Sequence, residues 1–124
     1  MNLDYTPSEL MAVAGSRELI DGEVVAVGLG LPVVASFLAK QTHAPNMTIL
    51  FELGVIDPQP IDQGVGLADP RVWYDANVLS SFVDILGEVL HRGRVDVGFL
   101  GGLEVDQFGN LNTSLVGDPK GRFR

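Results

Sequence analysis

The sequence predicts an α/β fold in which a mainly parallel sheet is flanked by helices. Two observations carry this. Short β-rich apolar runs alternate along the chain with longer segments of helical periodicity. The runs "VVAV" (24–27) and "MTILF" (47–51) are also apolar almost throughout, as strands covered on both faces are. With 124 residues and 46% hydrophobic content, the expectation is one domain over 1–124 with a real core.

Taken in order, Thr6 is a candidate N-cap, Pro7 sits at the first helical position and Glu9 completes a capping box. Leu10, Val13, Ala14, Leu19 and Ile20 give that helix an imperfect apolar stripe, and Asp21-Gly22 ends it in a turn. Residues 23–27 read as the first strand. "GLGLP" (28–32) then opens a second helix with Pro32 in its first turn, broken by Ala44, Pro45 and Asn46. Residues 47–52 form the second strand.

An irregular excursion spans 53–71, punctuated by Gly54, Pro58, Pro60, Gly64, Gly66 and Pro70. Residues 72–78 suit a short strand or a turn. "SSFVDILGEVLHRGR" is the clearest helix, with Phe82, Ile85, Leu86, Val89 and Leu90 on one face. His91 and Arg92 suit its C-terminal dipole, and Gly93 stops it. A third strand lies within 95–102. Residues 104–114 read as a hairpin with Phe108, Gly109 and Asn110 in the turn.

A formal net charge of −8 argues against a nucleic-acid partner. The absence of cysteine excludes disulfides, thiolate metal sites and a cysteine nucleophile, and fits a cytoplasmic protein. The N-terminal residues lack the basic start and apolar core of a signal peptide, and no apolar run has the length of a membrane span. The tail "GDPKGRFR" has no packing face, which suggests a chain truncated in the middle of a larger fold.

Ligands of open parallel sheets bind at the C-terminal strand ends. Here those ends carry Gly28 and Gly30, then Glu52, then Gly101 and Gly102. Glycine admits close approach to the backbone, and a helix beginning after Gly30 offers unpaired N–H groups to an anion. Ordinary strand-to-helix turns explain the same glycines. Glu52 is sharper, because a carboxylate ending an apolar strand needs water, an ion pair or a chemical task. As a task it can serve as base, metal ligand or nucleophile. His43 and His91 sit at helix ends as candidate caps, and no metal site is expected. No G-x-S-x-G elbow is present. Glu104, Asp106 and Asn110 form a second polar cluster, open to a site role or to plain hairpin chemistry.

Four pieces in order give a resemblance over essentially the whole chain: "GLGLP", "HAPN", "FELG" with Asp57-Pro58, and "GGLEVDQFGNLN". The sequence resembles the B (beta) subunit of class I CoA-transferases, of the glutaconate CoA-transferase type. That resemblance implies a hetero-oligomer with an A (alpha) subunit, acyl-CoA and carboxylate substrates, coenzyme A as substrate and no permanently bound cofactor. It implies Glu52 as the nucleophile, passing through a glutamyl-CoA thioester. Gly28, Gly30, Gly54, Gly101, Gly102, Glu104 and Asn110 would shape the substrate and CoA pocket. The sequence departs from the family at Leu53, where serine is usual, and at Glu104, where glutamine is common. The family also continues past residue 124 into a glycine-rich loop. Relatives that decarboxylate or hydrolyse acyl-CoA compounds, and a non-catalytic structural partner, stand as alternatives.

Overall fold

The computed structural model describes residues 4–59, 66 and 68–117. Helix α1 (Pro7–Arg17) begins as its sequence dictates: the Thr6 side chain accepts the Glu9 N–H while the Glu9 carboxylate accepts the Thr6 N–H. Strand β1 (Val24–Val27) leads into α2 (Leu31–Thr42), which is capped by Gly30 at φ +90°. Strands β2 (Thr48–Phe51) and β3 (Val55–Ile56) follow, then a 3₁₀ turn at Pro70–Val72 and β4 (Val78–Leu79). A π-helix (Asp84–Leu90), β5 (Val97–Phe99) and the hairpin β6 (Glu104–Val105) with β7 (Leu111–Asn112) complete the order.

The main sheet is β4-β3-β2-β1-β5. The three longest strands, β2, β1 and β5, are parallel, and the short β3 and β4 extend the sheet on the β2 side through antiparallel pairings. The mainly parallel α/β sheet expected from the sequence is therefore present, with antiparallel pairings added by β3 and β4. Register divides the faces. Val25 pairs with Ile49 and Val97, and Val27 with Phe51 and Phe99. These residues form one core with Val33 and Ala39 of α2, with Phe37 meeting Phe51 edge to face at 6.3 Å between ring centroids. The intervening residues Ala26, Leu50 and Gly98 point to the opposite face, toward Ile85, Leu86 and Leu90.

Several expectations need correction. In α1 the buried residues are Ala12 and Ser16, while Leu10, Met11 and Val13 are exposed. The reason is close packing: α1 meets α2 through small residues, with a Cβ on Gly15 falling 3.3 Å from that of Ala35. The segment 80–94 is not a regular α-helix. Its closing bonds run from the His91 N–H to the Leu86 carbonyl and from the Arg94 N–H to the Val89 carbonyl, five residues back. Ile85 is buried and Leu86, Val89 and Leu90 are only partly covered, but Phe82 is exposed. The excursion after Glu52 contains β3, and 72–78 gives way to β4 only at its last residue. Pro60 and Gly64 of that excursion lie outside the described residues.

Candidate active site

The site is built by the sheet's register. Val27 lies between Phe51 and Phe99, so the next residues of the three parallel strands, Gly28, Glu52 and Leu100, emerge at one level. All three line a cleft of about 320 Å³. Its floor is the sheet face of Ala26, Leu50 and Gly98, and its wall is Ile85, Leu86 and Leu90 with Val95. The floor residues on β1 and β5 are alanine and glycine, whose small side chains leave the space open. Glu52 is the sole titratable side chain among the described residues of this lining. It is exposed and makes no hydrogen bond or ion pair among the described residues. Of the fates open to it from sequence, the ion pair is therefore absent there.

The backbone around Glu52 is tightly fixed. The Gly54 N–H donates to the Phe51 carbonyl at 3.0 Å, closing a turn over Glu52 and Leu53. Gly54 holds φ +109°, and its carbonyl accepts the Ser80 N–H at 2.7 Å. Beyond the turn, Asp57 accepts from Lys40 Nζ at 2.5 Å and from Asn77 Nδ2 at 2.7 Å. Lys40 donates also to the Met47 carbonyl. This pair pins the far end of the β2–β3 hairpin, so Asp57 serves the frame rather than acting as an acidic neighbour of Glu52.

Of the other residues singled out from sequence, Gly28, Gly30, Gly101 and Gly102 follow the C-terminal ends of β1 and β5, whereas Glu104 and Asn110 belong to the separate β6–β7 hairpin. Gly28 is half-buried, and a Cβ there would stand 3.3 Å from the Phe99 carbonyl, so β1 and β5 approach closely at this point. Gly30 caps α2 without a side-chain hydrogen bond. Gly101 and Gly102 follow β5 and are exposed. Glu104 and Asn110 are not part of the cleft. Glu104 accepts from Asn112 Nδ2 at 2.7 Å, and Asn110 donates to Asp106 from both its N–H (2.9 Å) and its amide (2.7 Å). Those bonds hold the Asp106 carboxyl below its usual range, the Asn110 side chain contributing most. His43 caps α2 and its Nε2 lies 3.1 Å from the Leu19 carbonyl, while His91 follows the π-helix. Sequence reasoning missed the cleft wall as a feature, and with it Ser80 and Asp84 behind the Glu52 turn. The signal was Ser81 followed three residues later by an acid, a capping-box spacing.

Residues 8–124 match the family described as Coenzyme A transferase. The chain belongs to the coenzyme A transferase family. This chain is 39% identical to the B subunit of the 3-oxoadipate CoA-transferase of Pseudomonas knackmussii, over 96% of its own length and 47% of that protein. It is 33% identical to the B subunit of the glutaconate CoA-transferase of Acidaminococcus fermentans, over 97% of its length and 48% of the relative. The chain thus spans about half the length of the curated relatives it matches. Its fold overlays the crystal structure of the Acidaminococcus fermentans glutaconate CoA-transferase with a TM-score of 0.84, covering 97% of this chain and 49% of that one at 33% identity. It overlays the decarboxylase AibA/AibB with a TM-score of 0.82 at 32% identity, covering 98% of this chain and 50% of that one. Among the described residues no helix is long and apolar enough to cross a membrane.

Proposed function

We propose that this chain carries the nucleophile of a CoA-transferase, in a cytoplasmic hetero-oligomer with an A-type partner. The observation that carries the reading is Glu52: an exposed carboxylate, unpaired among the described residues, on a fixed turn at the C-terminal edge of the parallel strands, lining an otherwise apolar cleft. A carboxylate engaged in ion pairs would have to leave them to attack. Glu52 has none to leave among the described residues.

In the proposed reaction a Glu52 carboxylate oxygen attacks the thioester carbonyl of an acyl-CoA. The C–S bond breaks, leaving a mixed anhydride and CoA thiolate. The thiolate attacks the glutamyl carbonyl of the anhydride, giving a glutamyl-CoA thioester and the free acyl carboxylate. An acceptor carboxylate then attacks the glutamyl thioester, releasing thiolate and forming a second anhydride. Attack of the thiolate on the acceptor's carbonyl yields the new acyl-CoA and restores Glu52. Protons balance at each step, and the thioester energy is conserved through anhydride and thioester in turn. Gly28, Gly30, Gly101 and Gly102 would give CoA close access to the strand ends, and Glu104 and Asn110 would approach it through the hairpin. Coenzyme A is substrate here, with no resident cofactor.

Replacing the carboxylate tests this. Glu52→Gln, assayed with the partner chain, should lower transfer more than about a thousandfold, as loss of a covalent nucleophile does. The far-ultraviolet circular dichroism should be unchanged. Full turnover in that variant would remove Glu52 from the chemistry. The close structural likeness to a decarboxylase favours one second reading, acyl-CoA decarboxylation on the same scaffold. Carbon dioxide release without CoA transfer would establish it instead.

A further inference from the structure

We propose that Asp84 is a positioning residue for Glu52, acting through Ser80 and Gly54. The proposal rests on Glu52 being the nucleophile. The Glu52 carboxylate has no partner among the described residues, so its placement is set by the backbone that carries it. That backbone is the turn closed by the Gly54 N–H and the Phe51 carbonyl.

The turn in turn leans on residues 80 and 81. The Ser80 N–H donates to the Gly54 carbonyl at 2.7 Å. The two segments touch so closely that a Cβ on Gly54 would stand 2.5 Å from the Ser80 carbonyl carbon and 2.8 Å from the Ser81 nitrogen. Any shift of residues 80 and 81 therefore moves Gly54, two residues from Glu52.

Asp84 fixes those residues. One of its oxygens, Oδ2, accepts from Ser80 Oγ at 2.6 Å, from Ser81 Oγ at 2.7 Å and from the Ser81 N–H at 3.2 Å. The Asp84 N–H donates to Ser81 Oγ at 3.2 Å in return. The exchange between Ser81 and Asp84 is a capping box for the helix that follows. Capping requires nothing of Ser80. The bond from Ser80 Oγ ties the residue that contacts Gly54 to the same carboxylate oxygen, and this is what couples the cap to the Glu52 turn. The hydrogen bonds from Ser80 and Ser81 also hold the Asp84 carboxyl below its usual range, so it stays ionised and able to accept all three through neutral pH.

The test measures the single-turnover rate constant for forming the enzyme–CoA thioester, in the intact enzyme with its partner chain. The donors are acetyl-CoA, glutaconyl-CoA and 3-oxoadipyl-CoA, and the fastest is taken forward. The thioester is quantified by borohydride trapping on the Glu52 peptide. Asp84→Ala should slow formation about tenfold to a hundredfold, the range expected when a reacting group is displaced by up to an ångström. The KM for donor should change by less than about threefold, since ground-state binding is not what the clamp controls. Asp84→Asn keeps an acceptor oxygen and should recover most of the rate. Ser80→Ala leaves the capping box whole and should still slow the step several-fold. Glu9→Ala removes the corresponding box from α1 and should lower the melting temperature without changing the rate constant.

Wild-type rate constants in both Asp84→Ala and Ser80→Ala, with only smaller amplitudes or lower melting temperatures, would overturn the proposal and leave Asp84 a helix cap. Where Asp84→Ala fails to fold, Ser80→Ala decides alone. No trapped thioester on wild-type Glu52 with any donor would instead sink the nucleophile reading, and the positioning role with it.

Discussion

Gly54 shows how little freedom the residues beside Glu52 have. Its φ of +109° is one that L side chains rarely adopt, and the space a Cβ would need is filled by the Ser80 backbone. Gly54→Ala should therefore cost at least about 2 kcal/mol, from backbone strain and from forcing residues 80 and 81 aside. Urea unfolding of the protein measures this directly, and an unchanged midpoint would show that the turn can relax. Leu53, between Glu52 and Gly54, is 40% exposed. At this scale the sequence was readable in part. An acid ending an apolar run announced itself as costly or purposeful, yet solvent, ion pair and catalyst remained open on chemistry alone. The role as nucleophile came from resemblance. What the structure added is that Glu52 makes no ion pair among the described residues, while the half-buried Lys40, at the far end of the β2–β3 hairpin, is held by Asp57 and the Met47 carbonyl.

Elements were legible wherever they are long enough to express a period or carry a cap. Thr6, Pro7 and Glu9 announced α1, Pro32 announced α2, and Asp106, Gly109 and Asn110 announced the β6–β7 hairpin. Strand β3 was hidden and β4 was met only at Val78 by the reading of 72–78 as a short strand or a turn, since two residues each cannot display an alternation of two. The apolar stripe of α1 misled for another reason. Hydrophobicity ranks Leu10 and Val13 above Ala12 and Ser16, but close approach of two helices selects small side chains at the contact. The π-helix was read as regular because Phe82, Ile85, Leu86, Val89 and Leu90 fit the spacing of one α-helical face. Its departure matters for the site, since the same segment carries Asp84 at one end and the cleft wall of Ile85, Leu86 and Leu90 along its length.

Across the whole molecule, acidic residues outnumber basic ones 16 to 8, and many are engaged as acceptors rather than in ion pairs. Glu9, Asp21, Asp84 and Asp106 each have their pKa lowered by hydrogen bonds, from Thr6, Asn46, Ser80 and Asn110 foremost. All four are fully exposed, so each effect is modest and screened by solvent. The sign is common to them. A carboxyl with a lower folded pKa binds its proton first in the unfolded chain, so its contribution is complete above the ordinary carboxylate range near about pH 4 and is lost as pH falls through the folded value. The melting temperature should be flat from about pH 7 to 5 and fall below about pH 4. A decline already between pH 7 and 6 would contradict this.

The same scale holds the central claim. Three parallel strands, each fixed by its neighbours' register, bring Gly28, Glu52 and Leu100 to one level beside an apolar cleft, and the transferase reading requires that Glu52 carry CoA covalently. The most direct measurement is mass spectrometry of this chain after exposure to acyl-CoA and then borohydride, with its partner chain present. Borohydride reduces a glutamyl thioester to the alcohol, so the predicted result is a Glu52 side chain that has lost one oxygen and gained two hydrogens. An unmodified Glu52 peptide, in an intact complex with CoA bound, would contradict covalent transfer through this residue.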